Sequence, residues 1–241
     1  MIKTKYILLV ILPLLAGCSL IDDWSAGNIE VRRITINNDL VDIKVKNIFE
    51  ITLIQDDSAY IDVICGENFQ SKVDIHADGK SLIIDHSINN RWLHGYDKVK
   101  LEIHLTFIPT MNIFSPIKIE TRGIFNTNTF YLVDWGSFTE CNVSINVDKL
   151  IVQTSGDNFG EYNIKGTSRV TDIAVRGSTK IDCSELQTES CNLYHKSIMD
   201  VSLTVSNNFV VNIISSGNAY YRGNPTVTLT RSGSGNVYQI N

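Results

Sequence analysis

The chain has 241 residues, of which 43% are hydrophobic and 20% charged, and its formal net charge is −5. That balance lacks the basic footprint of a nucleic-acid-binding protein and argues against charge-driven adsorption to anionic membranes. The length suffices for one sizeable domain or two small ones.

Residues 1–17 read as a lipoprotein signal peptide. Lys3 and Lys5 precede an apolar run from Tyr6 to Leu15 that is too short for a comfortable membrane span. The run closes in Leu15-Ala16-Gly17-Cys18, the order of a bacterial lipobox. Cleavage is expected to leave Cys18 as a lipid-bearing N-terminus, followed by a polar tether over residues 18–28. Acyl chains contribute roughly 0.8 kcal/mol per buried methylene, so more than one chain anchors durably without a transmembrane helix. Ser19 after the cysteine favours the outer membrane over the inner one, and Asp22-Asp23 resembles the acidic export tags of surface-exposed lipoproteins. The expected address is the outer membrane of a Gram-negative envelope, facing the periplasm or the surface. No later stretch approaches ~18 consecutive apolar residues.

Residues 29–108 alternate with period two, the mark of half-buried strands. Val41, Ile43 and Val45 are interleaved with polar residues, as are Phe49, Ile51 and Leu53, then Leu101, Ile103 and Leu105. Between Val73-Asp74-Ile75 and Leu82-Ile83-Ile84 stands Asp78-Gly79, a tight-turn signal. Asp57-Ser58-Ala59 matches a short bacterial O-glycosylation pattern and reads equally well as a plain turn. The segment Arg91-Trp92-Leu93-His94-Gly95-Tyr96 reads as a loop, and Arg91, Trp92 and Tyr96 are candidates for ligand contact.

Residues 109–241 carry a second order. Pro116, Gly136, Gly156, Gly177, Ser197, Gly217 and Gly235 stand about 20 residues apart, the last step slightly shorter. Phe130, Leu150, Thr171, Cys191, Val211 and Leu229 lie six before these markers; Leu132, Val152, Ile173, Leu193 and Ile213 lie four before. Columns two apart face the same way along a strand. Repeats this short cannot bury their own apolar face and must stack, which predicts an all-β, right-handed parallel β-helix with an N-terminal β-strand and hairpin region. Six or seven turns would make a rod of roughly 30 Å. A β-sandwich with evenly spaced hairpins is the competing architecture. The Gly, Asn, Asp and Ser at the markers suit corners that need positive φ or a self-capping side chain.

Tyr221-Arg222-Gly223-Asn224-Pro225 and Ser232-Gly233-Ser234-Gly235-Asn236-Val237 resemble the closing motif of the putative auto-transporter adhesin, head GIN domain family. Residues 47–56 resemble its opening strand, and Ile108-Pro109-Thr110-Met111-Asn112-Ile113 its approach to the repeats. The resemblance implies a lipid-anchored, envelope-facing parallel β-helix and brings no catalytic residues with it. Phe114-Ser115-Pro116 and Lys196-Ser197-Ile198 depart from the pattern in lacking a glycine corner.

Chemistry is sparse. Cys65, Cys141, Cys183 and Cys191 form no CxxC and read as small buried hydrophobes, with a single bridge as the alternative. His76 and His86 fall on opposite strand faces, His104 lies with Glu102 and Thr106, and His94 is in a loop, so no metal site is expected. No cofactor is implied. Asp134 and His195 stand two before their markers but three turns apart, about 14 Å, too far to share a proton. Arg176 and Lys196, one before their markers, stack as neighbours that could meet an acidic sugar. Trp135, Tyr194, Tyr220 and Tyr221 are further candidates for stacking on sugar rings. The reading is a non-enzymatic, lipid-anchored β-solenoid that presents a surface to a glycan or protein. The alternatives are a carbohydrate-active β-helix enzyme and an envelope assembly partner. Little sequence is left for a cap after Tyr238-Gln239-Ile240, which suggests self-association end to end.

Overall fold

The computed structural model of the chain describes residues 26–88, 98–136 and 138–240. Strands take up 69% of the described residues, and the chain forms a β-solenoid of about six turns. No helix among the described residues is long and apolar enough to cross a membrane.

Four long strands make the body: β9 (Ile117–Asp134), β10 (Thr139–Thr154), β11 (Glu161–Gly177) and β12 (Lys180–Ser197). They pair in parallel, each with the next, and β13 (Val201–Ile213) follows on β12. Each long strand is bent into straight runs. In β10 the odd positions from Thr139 to Val147 are buried, and beyond Asp148 the even positions from Leu150 to Thr154 are. A further bend, which keeps the alternation, lies where the register shifts between Asn142 and Ser144. A turn thus has a first, a middle and a third run, and a return corner leads from the third run to the next turn.

The inward residues form continuous files. Leu132 stands beside Val152, then Ile173, Leu193 and Val211. All five are essentially solvent-free. Ile213, expected in this file, lies one inward step further along, opposite His195. Likewise Phe209, not Val211, continues the file of Phe130, Leu150, Thr171 and Cys191. The cause is a shorter turn: Cys183 pairs with Leu203 but Gln187 with Thr204, which leaves Ser184–Leu186 unmatched, and Thr188 pairs with Val205 but Ser190 with Asn208, which returns one residue and leaves the turn two residues short. A fixed sequence interval therefore misaligns the last turns by one inward position.

The glycine corners differ from expectation as well. Of the marker glycines only Gly177 has positive φ. Gly217 and Gly235 are required instead by close approach, since a Cβ there would fall against the carbonyl oxygens of Met199 and Gly217. Where glycine is missing, Ser197 is buried and its hydroxyl donates to the Thr179 carbonyl at 2.8 Å while accepting from the Met199 amide at 3.1 Å.

The stacking continues into the N-terminal region, out of chain order. β2 (Asp42–Val45) pairs in parallel with both β6 (Ser81–His86) and β8 (Thr110–Ile113). β3 (Glu50–Gln55) pairs in parallel with β7 (Lys100–Leu105) and with the first run of β9. The β2–β3 turn therefore lies between one made of β6 and β7 and one begun by β8. β4 (Tyr60–Gly66) adds antiparallel to β7, and β1 (Ile29–Thr35) antiparallel to β4. A one-turn helix α1 (Glu67–Gln70), with Phe69 buried, leads to β5 (Val73–Asp78), which pairs antiparallel with β6. That hairpin sets Asp78 opposite Ser81, so its turn residues are Gly79, at φ 62°, and Lys80. This is one position later than Asp78-Gly79 and leaves the face parity unchanged.

At the other end, β14 (Ala219–Arg222) and β15 (Thr226–Arg231) pair with β13, and β16 (Val237–Gln239) with β14. β15 is exposed along its whole length. Cys65, Cys141, Cys183 and Cys191 are free and buried. Burial pushes the Cys141, Cys183 and Cys191 thiols far above their usual range.

Candidate functional site

The outward side chains of the third runs form a shallow groove. The parallel register places Ile151, Asp172, Asn192 and Val210 in one row and Gln153, Ala174, Tyr194 and Asn212 in the next. Together they line a depression of about 290 Å³. Ile151, Ala174 and Val210 give an apolar floor, and Tyr194 supplies an aromatic wall. The sheet holds this arrangement rigidly, because each side chain sits on a strand hydrogen-bonded to both neighbours.

Arg176 and Lys196 face one another on adjacent turns at the end of the groove. The Arg176 guanidinium carbon lies 5.3 Å from the Tyr194 ring centroid. One of its nitrogens donates to the Thr154 carbonyl at 3.2 Å, which fixes the cation over the aromatic face. Lys196 is exposed. At the far side, Asn192 donates to Asp172 at 2.7 Å, and Lys149 Nζ lies 2.9 Å from the same carboxylate. Burial alone would raise the Asp172 carboxyl, but these two donors outweigh it and hold it below the usual carboxylate range. Asp172 is thus a fixed anion, unsuited to proton transfer near neutral pH.

The remaining candidates fall elsewhere. Asp134 and His195 lie in one inward file, fully buried. Asp134 accepts from the Gly136 amide at 2.8 Å, from Asn158 at 2.6 Å and from the Tyr162 hydroxyl. Burial lowers the His195 imidazole, which meets the Asn218 carbonyl at 3.2 Å and accepts from the Ser197 amide at 3.3 Å. Both groups brace corners. His76 contacts Asp74 at 3.1 Å on an exposed face, whereas His86 is buried. His104 stacks on Tyr60 at 4.0 Å and meets Asp56 at 2.9 Å, beside Arg33, which forks onto Asp62 with both distances 2.7 Å. Among the described residues, no group of three His, Cys, Asp or Glu side chains is placed to hold a metal. The Ser58 amide donates to Asp56 at 3.1 Å in a tight turn. Cys18, Arg91, Trp92, His94 and Tyr96 lie outside the described residues.

The sequence offered Arg176, Lys196 and Tyr194 as separate candidates but not the groove that joins them. Its floor residues alternate with the buried files and were legible as outward positions; nothing in the sequence marked them as contiguous.

The chain matches the family model described as "Putative auto-transporter adhesin, head GIN domain" over residues 39–225. Its fold is similar to that of a putative adhesin from Bacteroides fragilis NCTC 9343, with a TM-score of 0.73 and 13% identity over 90% of this chain and 99% of that one. A putative lipid binding protein from Parabacteroides distasonis ATCC 8503 superposes with a TM-score of 0.63 and 20% identity, covering 89% and 98% of the two chains. A putative adhesin from the same organism gives 0.59 and 17%, covering 90% and 99%. No curated protein matches the chain.

Proposed function

Because this chain belongs to the putative auto-transporter adhesin, head GIN domain family, we propose that it is a lipid-anchored envelope protein that works by binding, not catalysis. Residues 1–17 are its signal peptide, Cys18 its lipid attachment point and residues 18–28 its tether. Its address is the outer membrane of a Gram-negative cell. The observation that carries the binding reading is the groove around Tyr194, where a fixed cation, an aromatic face and three carboxamides share one rigid sheet. This combination suits an acidic glycan: a sugar ring stacks on Tyr194, Arg176 and Lys196 meet its carboxylate, and Gln153, Asn192 and Asn212 meet its hydroxyls. A glycosidase needs two carboxyl groups flanking one bond, and among the described residues Asp172 is the only carboxylate lining the groove.

Screening the purified mature chain on a glycan array should yield hits enriched in uronic or other acidic sugars. Tyr194→Ala and Lys196→Ala should each weaken binding by about tenfold, the equivalent of one lost stacking or charge contact. Turnover of any polysaccharide, or binding indifferent to both substitutions, would refute the reading. Labelled palmitate incorporated by the parent and not by Cys18→Ser tests the anchor separately.

A further inference from the structure

A different surface remains once the groove is accounted for. Along the edge formed by the return corners, large apolar side chains stand in solvent. Ile48 lies between β2 and β3, Phe114 after β8, Trp135 and Phe138 between β9 and β10, Phe159 after β10, and Ile198 after β12. Trp135 is 57% exposed and Phe159 61%. The corners are stacked in register: the Phe114 amide donates to the Val45 carbonyl at 2.9 Å, and the Trp135 amide to the Ile113 carbonyl at 2.8 Å. At about 4.8 Å per turn, the ridge from Ile48 to Ile198 is roughly 24 Å long. Ile48, Pro116 and Phe138 also line a notch of about 150 Å³ within it.

The ridge is lopsided along the rod. The two corners nearest the C-terminal end read Ser215-Ser216-Gly217-Asn218 and Ser232-Gly233-Ser234-Gly235-Asn236, wholly polar. Toward the other end the corners from Ile48 to Phe159 are apolar in succession, and the polar Ser178-Thr179 corner separates them from Ile198. That end is also where the N-terminal segment departs. Ile29 pairs with Gly66, and Ile64 with Lys100, so β1 begins beside the start of β7, on this same edge.

We propose that this ridge seats the rod edgewise on a phospholipid bilayer, as a second contact beside the N-terminal lipid. The proposal rests on the anchor reading: residues 18–25, which precede the buried Ala26, reach at most about 29 Å when extended, so an acylated Cys18 holds the ridge within reach of the membrane. The shape of the ridge favours lipid as its occupant. The N-terminal segment leaves the fold on this edge, and the bilayer interface accepts aromatic and aliphatic tips without a matching pocket. Backbone groups at these corners are already paired from turn to turn. The Ile117 amide donates to the Phe138 carbonyl and the Ile198 amide to the Gly177 carbonyl, each at 3.0 Å. Shallow insertion therefore leaves these paired groups satisfied.

The test uses the lipidated mature chain carrying Trp24→Phe and Trp92→Phe, which leaves Trp135 as the sole indole. It is placed in phosphatidylethanolamine and phosphatidylglycerol vesicles with brominated acyl chains. Seating predicts a blue-shifted Trp135 emission quenched about twofold or more, and recovery of that emission in Phe138→Ser/Phe159→Ser. Both substituted side chains are exposed, so the fold should survive, which circular dichroism checks. Unquenched Trp135 in the anchored chain overturns the proposal, as does a lipid-free dimer that the double substitution abolishes. The mass of the N-terminal peptide reports acylation independently. If natural acylation is absent, coupling a maleimide phospholipid at Cys18 presents the same ridge to the same vesicles.

Discussion

At the scale of single residues, the groups that looked most chemical prove to be structural. Asp134 is solvent-free and receives the Gly136 amide, the Asn158 carboxamide and the Tyr162 hydroxyl. Asn158 ties the next corner in turn, accepting from the Gly160 amide at 2.6 Å and from the Thr179 hydroxyl at 3.0 Å. Asp134→Ala should therefore cost about 3 kcal/mol or more, because it strips the acceptor from three donors at once. Tyr162→Phe, which leaves two donors on the carboxylate, should cost only about 1–2 kcal/mol. Urea unfolding of the two variants checks the difference; equal losses would mean that Asp134 is not the hub. Sequence alone could not show this. Asp134 and His195 belong to the inward parity of their strands, but a polar residue near a corner reads as exposed by default, and their partners lie on other turns.

At the scale of strands and corners, the repeat was legible because stacking demands the same side-chain volume at the same place in every turn. Leu132, Val152, Ile173 and Leu193 show that rule directly. It failed where a turn changed length without changing composition, at Ser184–Leu186, and Val211 and Phe209 then took the expected places of Ile213 and Val211. Not all bends are equally demanding. Gly123, at φ 76°, has open space where a Cβ would go, whereas a Cβ on Gly166, at φ 112°, would fall against the Ile145 carbonyl. Gly123→Ala should lose about 1–2 kcal/mol from the left-handed backbone alone. Gly166→Ala should lose at least about twice that, since β10 and β11 must also part. A thermal melt of both variants separates backbone strain from steric conflict; if Gly166→Ala proved the milder, the close approach would be relieved by local bending.

For the molecule as a whole, stability is distributed along one axis, with each turn supported by its neighbours. Leu193 is sealed within the inner file, while Leu229, its counterpart on the last turn, is 43% exposed. Leu193→Ala should cost about 2–5 kcal/mol and Leu229→Ala less than about 1 kcal/mol. Hydrogen exchange should follow the same gradient, slowest in β10–β12 and fastest in β15 and β16; uniform protection would contradict a stack of semi-independent turns. The N-terminal arrangement was illegible for a topological reason: no periodicity records that β2 and β3 lie between strands that come later in the chain. That interleaving imposes an order of events on synthesis. A polypeptide emerging N-terminus first presents Asp42–Val45 and Glu50–Gln55 long before Thr110–Ile113 and Ile117–Asp134 exist to receive them. Distant pairings of this kind form slowly and leave bare strand edges meanwhile, so the edges of β2 and β3 that face β8 and β9 stay open until residue 134 has emerged.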